Sequence, residues 1–195
     1  ISTSYRNEPN PIPGRHETIF PMFEFECKGG MEDLIQLEFD LLERLGLDRP
    51  ARLNYDSICN DYNVSLLENT HEGIMCEEYG SSVSLEHFPE RTSPFWNMKH
   101  GGDGIFNKVD IILFGQETIG SAERATDVNE MKHFFDTISD GGYKEKLYEL
   151  FGKERVNKEL DEYLSFDFFP RFGGGIGVTR LMRAMKLQKE LLVSV

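Results

Sequence analysis

The chain has 195 residues, 39% of them hydrophobic, with 34 acidic against 21 basic side chains and a net charge of -13. That is enough apolar material for one globular domain spanning residues 1–195. The acidic balance argues against a broad electrostatic grip on nucleic acid or an anionic membrane. No apolar stretch approaches a membrane span and no signal peptide is visible. The three cysteines, Cys27, Cys59 and Cys76, show no CxxC spacing, which points to free thiols in a reducing, cytoplasmic compartment.

Residues 2–8 read as a strand, and 9–16, with two prolines and a glycine, as a loop. Residues 20–27 alternate phenylalanine with glutamate, the period of a strand, so the two pieces predict a long hairpin. Gly29-Gly30 breaks the chain. The segment from Met31 then places Leu34, Leu37, Leu41, Leu42 and Leu45 on one helical face, with Gly46 near its end. Residues 50–80 are weakly patterned and read as short helices and loops. Strands are expected over 82–88, 94–99, 105–114 and 116–121, with HGGDG at 100–104 turning the chain. Helices follow at about 124–138 and 142–164, interrupted near Gly152. A C-terminal helix starts about Val178. Hairpins plus separate helices predict an α+β fold with a mainly antiparallel sheet.

The densest signal is FFPRFGGGIGVTRL, from Phe168 to Leu181. A P-loop needs Lys-Ser/Thr after its last glycine, and Val178-Thr179-Arg180 stands there instead. A dinucleotide fingerprint fails too, since its last slot falls on Val178 or Arg180. As a strand, Gly173, Gly175 and Gly177 leave one face bare. A planar ring or a phosphate chain could approach that floor closely. Arg180 follows in the first helical turn, and its fork of donors suits phosphate. The bland reading is a glycine-rich strand packed on another backbone. Asp110 is conspicuous in the apolar run VDIIL, because a lone carboxylate there is costly unless paired or bound to a cation. Arg6 and Glu8 share a strand face and by residue type alone read as a surface ion pair.

The pattern P-x-x-G-x-G-x-G-x-x-R, Pro170 through Arg180, resembles motif 3 of the class II aminoacyl-tRNA synthetases. Tyr5-Arg6-Asn7-Glu8, a loop with Gly14-Arg15-His16, and Phe20 resemble motif 2 of that family. Asp110, Glu117 and Arg124, seven residues apart, resemble the central strands of its aspartate/asparagine/lysine subgroup. The resemblance implies an ATP-dependent ligase that forms an aminoacyl-adenylate. It implies that Arg6 and Arg180 are catalytic, with Arg6 bridging the carboxylate and the α-phosphate. Glu8 would accept from adenine, Phe20 and Arg180 would sandwich it, and Arg15 and His16 would reach the terminal phosphates. Gly175 and Gly177 would form the ATP floor, and Asp110 and Glu117 would hold Mg²⁺. Glu24 would take the substrate ammonium and Arg124 its side-chain end, so the substrate is aspartate or asparagine.

The acceptor stays open between tRNA and ammonia, since ammonia-dependent asparagine synthetases resemble the same core. A non-catalytic synthetase-like binding module is the reading from another class. The chain departs from the family at Ile19, where Glu is usual, and at Arg171, where His is common. Motif 1 is not seen, the chain reads as a piece beginning just before motif 2, and the resemblance implies a homodimer when intact.

Overall fold

The computed structural model describes residues 1–7, 9–12 and 17–193. Glu8, Arg15 and His16 of the expected ATP site lie outside them. The described elements run β1 (Ser2–Tyr5), β2 (Ile19–Lys28), α1 (Met31–Arg44), β3 (Ala51–Asn54), α2 (Tyr55–Asp61) and α3 (Asn69–Tyr79). Then come β4 (Ser82–Pro89), β5 (His100–Gly102), β6 (Ile105–Leu113), β7 (Gln116–Glu123), α4 (Val128–Thr137) and α5 (Gly142–Phe151). The chain closes with α6 (Lys153–Leu164), β8 (Arg171–Gly177) and α7 (Val178–Val193). The fold is α+β. Seven strands lie in the order β1-β2-β8-β7-β6-β4-β3, and β5 pairs with β6. Every pairing is antiparallel except that of β3 with β4. No helix among the described residues is long and apolar enough to cross a membrane.

Local chemistry sets most boundaries. Asp127 caps α4 through the Asn129 and Glu130 amides (2.8 and 3.1 Å), and Asn54 caps α2 through the Ser57 amide (3.1 Å). Gly152, at φ 83°, separates α5 from α6 where the sequence places a break. Phe114 and Gly115, both with positive φ, make the tight turn between β6 and β7.

One face of the sheet packs on α1 and α7. Val109, Ile111, Leu113, Ile119, Phe172 and Ile176 meet Leu34, Phe39, Leu42 and Ala184 there. Among the described residues, the opposite face has its apolar cover at the β4 end, where Val83, Leu85 and Ile112 meet Tyr55, Ile58 and Met75 of α2 and α3. A third cluster, around Trp96, Met131, Phe135 and Leu160, gathers α4 and α6. Between these covers the sheet face stays open.

Four expectations are corrected. Residues 94–99 are not a strand. They form a turn held by one bridge from Met98 to Arg124 and by the packing of Trp96. A strand, β3, lies in the segment expected to hold only helices and loops. Its four residues pair parallel to β4, too short a run to show a period. The first strand ends at Tyr5 rather than residue 8. Leu37 is exposed rather than core, and Glu38 is buried in its place.

Glu38 faces the sheet from α1, and neither of its oxygens has a hydrogen-bond partner among the described residues. Burial pushes its carboxyl up to about 8. The Ser121 hydroxyl opposes the shift, yet it donates to the Val109 carbonyl (3.3 Å). The folded state therefore holds a proton that the unfolded chain releases near 4.5. This contribution to stability is complete below pH 4.5 and is lost as pH rises through about 8. Glu38→Gln should leave the melting temperature at pH 4 nearly unchanged and raise it at pH 9. Thermal melts across that range check it, and an equal pH dependence in both proteins counts against it.

Candidate active site

The open face is laid out by strand register. Asp110 of β6 pairs with Gly120 of β7, Gly120 with Gly175 of β8, and Gly175 with Glu24 of β2. Residues paired across strands point the same way. At the usual spacing this row spans ~14 Å. A carboxylate therefore stands at each end and bare backbone lies between.

The register also joins the two expected metal ligands. Gly120 is three residues from Glu117, which in a regular strand would put Glu117 on the other face. Between Ile111↔Ile119 and Ile112↔Glu117 the ladder skips Thr118. This bulge turns Glu117 back to the face of Asp110. A Cβ on Gly120 would lie 3.0 Å from Glu117 Oε1 and 3.6 Å from Asp110 Oδ1, so both carboxylates converge there. The neighbouring Asp110 charge, then burial, raises Glu117 to about 7. Asp110 Oδ2 accepts from the Lys108 ammonium, while its buried Oδ1 has no hydrogen-bond partner among the described residues.

Two converging carboxylates with an orphaned oxygen fit a hard divalent cation that takes its other ligands from water and phosphate. No group of three or more His, Cys, Asp or Glu suited to a metal occurs among the described residues. Lys108, whose ammonium also sits 3.6 Å from the Phe88 ring centroid, was missed at the sequence level. Its spacing of two from Asp110 was the available signal.

A cleft of about 690 Å³ covers one part of the row. Its walls include Arg6, Phe20, Met22, Glu117, Gly175, Gly177 and Arg180. The Arg6 guanidinium lies 5.3 Å from the Phe20 ring centroid. Arg180 donates to the Glu117 carbonyl at 2.6 Å, tying the start of α7 to β7. Thr179 donates to Glu17 at 3.1 Å. An adjoining hollow of about 420 Å³ shares Gly120 and Gly175 with the cleft and is lined by Glu24, Glu26 and Arg124. Arg124 donates to Glu26 at 2.9 Å, and Arg171 approaches the same carboxylate at 3.9 Å. Glu26 was also missed, although it alternates with Glu24 on β2. The described members of the expected site thus gather along one open face.

The glycines divide by need. A side chain on Gly173 would meet the Phe25 carbonyl at 2.6 Å, and one on Gly174 the Ser121 Cβ at 2.5 Å and the Gly120 carbonyl at 2.9 Å. Those two are required by packing. At Gly175 a Cβ would meet only the flexible tip of Met22, and at Gly177 its nearest contact is an ordinary 3.4 Å. The fold does not require glycine at those two positions. Gly174→Ala should destabilise the protein by about 1–3 kcal/mol through overpacking. Gly177→Ala should fall within about 0.5 kcal/mol of the parent. Urea denaturation checks both, and equal losses would show that Gly177 is also structural.

No protein-family model and no curated protein sequence matches the chain. Solved structures do. Asparaginyl-tRNA synthetase from Pyrococcus horikoshii, complexed with asparaginyl-adenylate, superposes with a TM-score of 0.73 at 20% identity, over 96% of this chain and 49% of that one. The Entamoeba histolytica asparaginyl-tRNA synthetase in complex with asparaginyl-adenylate gives 0.73 at 20% identity, over 94% and 48%. Aspartyl-tRNA synthetase from Entamoeba histolytica gives 0.69 at 18% identity, over 94% and 43%. The chain therefore spans less than half the length of these proteins. At such identities the likeness is one of fold: the chain has the class II catalytic-core fold of aspartyl- and asparaginyl-tRNA synthetases.

Proposed function

We propose that residues 1–195 form the catalytic core, from motif 2 through motif 3, of an ATP-dependent ligase. Its substrate is aspartate or asparagine, which it activates as an aminoacyl-adenylate. The observation that carries the reading is the row Asp110–Gly120–Gly175–Glu24, with its open glycine floor between two carboxylate ends. Two of the similar solved proteins are complexed with asparaginyl-adenylate, which supports the same reading.

In this reading the substrate ammonium binds Glu24. Its side-chain end meets Arg124, which Glu26 holds in place. Arg6 bridges the reacting carboxylate and the α-phosphate, holding two anions at attacking distance. Phe20 and Arg180 take the two faces of adenine over Gly177, with Glu8 on its amino group and Arg15 and His16 on the phosphates. Asp110 and Glu117 hold Mg²⁺, which supplies charge neutralisation to the phosphate oxygens. Such a cation would offset the Asp110 charge that raises Glu117. The activated amino acid then passes to tRNA or to ammonia.

Pyrophosphate exchange into ATP should appear with aspartate or asparagine and stay near background with lysine. Arg124→Leu should reduce it by about 100-fold or more, because the substrate end loses its donor. Exchange driven best by lysine would sink the substrate assignment. Product formation with ammonia alone or with tRNA alone then identifies the acceptor. The reading also makes the intact protein a homodimer. Tyr5, Ile19 and Phe23, on the face of β1 and β2 away from the cleft, are 77%, 59% and 46% exposed and offer an apolar surface for it. Light scattering on the protein with its upstream residues should show a dimer, and a monomer at every concentration refutes it.

A further inference from the structure

The bulge that turns Glu117 toward Asp110 is held from outside its own strand. Glu117 lies before the first pair of β7 with β8, Ile119↔Ile176. Its amide donates to Glu72 Oε2 at 2.7 Å, and its carbonyl accepts from Arg180 at 2.6 Å. Side chains of two helices, α3 and α7, therefore grip the main chain of one residue. Glu72 stands in the first turn of α3, 45 positions away in the chain.

The docking of α3 brings this acid to that amide. Met75 is buried in the second apolar cluster and anchors the helix on the sheet. Gly73 comes so near the β6–β7 turn that a Cβ on Gly115 would lie 3.1 Å from Gly73 Cα and 3.5 Å from its nitrogen. Gly115 also has φ 75°, a conformation that glycine adopts freely. This close approach sets Glu72, one residue before Gly73, against Glu117, two residues after Gly115. Glu72 is half-buried, and its bond to the amide is charge-assisted.

Glu72 does not join the pair as a third ligand, since no group of three or more such side chains suited to a metal occurs among the described residues. Nor does its charge favour the pair. After Asp110 and burial, the Glu72 charge also raises Glu117. What favours an acceptor here is the Glu117 amide. We propose that Glu72 is a positioning residue: by accepting that amide it holds the Thr118 bulge in register and keeps the Glu117 carboxylate beside Asp110. A strand that slipped back to regular pairing would turn Glu117 to the other face of the sheet. The inference rests on the reading of the pair as a cation seat and extends it to α3.

Two measurements test it on the parent, Glu72→Ala and Glu72→Gln. One is hydrogen exchange at the Glu117 amide in metal-free protein, followed by NMR. The other is calorimetric titration with Mn²⁺, which takes the same oxygen ligands as Mg²⁺. Glu72→Ala should speed exchange at Glu117 by about ten-fold, the worth of one charge-assisted hydrogen bond. It should weaken Mn²⁺ binding by about ten-fold, as loss of a group that orients a ligand does. Glu72→Gln keeps an acceptor oxygen and should stay within about two-fold of the parent in both. The amides of Val109 and Ser121, a pair beyond the bulge, should keep the parent's rate in both variants. Glu72→Ala equal to the parent in either measurement overturns the proposal. Equal losses in the two variants also overturn it, since Glu72 would then act through its charge. Faster exchange at Val109 and Ser121 overturns it as well, because the role would be general support of the fold. If the parent binds no Mn²⁺, the cation seat itself falls, and exchange at Glu117 alone decides the clamp.

Discussion

One extra residue in one strand governs the site. Without the bulge at Thr118, Glu117 would point into the apolar layer beneath the sheet, and Asp110 would stand alone. With it, two carboxylates share the space above a glycine. Like charges that close cannot both ionise cheaply, and Glu117 is raised to about 7 as a result. Their neighbours are arranged around that cost. Lys108 is set on Asp110, both Lys108 and Arg180 draw Glu117 back down, and a hydrogen atom is all that Gly120 puts between the two acids.

The floor obeys a second constraint. A run of glycine lowers the stability of a strand, since each costs backbone entropy and offers no side chain to pack. Gly173 and Gly174 are explained by the backbones beside them, with no reference to a ligand. Gly175 and Gly177 are not, because alanine would fit at either position with at most a shift of Met22. What the fold leaves unexplained is therefore confined to the stretch between Glu117 and Phe20, where the cleft lies. The functional reading of the glycine run rests on two of its residues rather than all of it.

Much of this was legible in the sequence, for identifiable reasons. The β1–β2 hairpin, the break at Gly152 and the start of α7 are marked by glycine, by turns or by a clear period, and the structure places them where those signals stand, whereas HGGDG, expected as a turn, holds β5 in its first three residues. Period two along β2 and β8 correctly groups Phe20, Glu24, Gly175 and Gly177 on one face. What was not legible depends on partners distant in sequence. Trp96 lies in a strand-like run, but its ring is held edge-on by Phe135 and Tyr163, and the backbone turns there. β3 exists because β4 lies beside it. Leu37 and Glu38 exchange their expected environments because the buried stripe of α1 runs through Leu34, Ile35, Glu38, Phe39 and Leu42. The spacing of Asp110 and Glu117 drew attention through family resemblance, whereas the bulge that unites them has no local sequence mark.

The charge of the whole chain and the charge of the cleft also point in different directions. A net charge of -13 repels polyanions at a distance. Yet Arg6, Arg180 and Arg183 all line the cleft, with Arg124 at its adjoining hollow. At physiological salt, charges more than about 8 Å apart are largely screened from one another across solvent. A small anion inside the cleft therefore responds to these arginines and to the acid pair, and little to the acidic outer surface. A compact phosphate chain carrying a divalent cation, the ligand of the proposed function, would reconcile the two by bringing positive charge to the carboxylates and negative charge to the guanidinium groups at once.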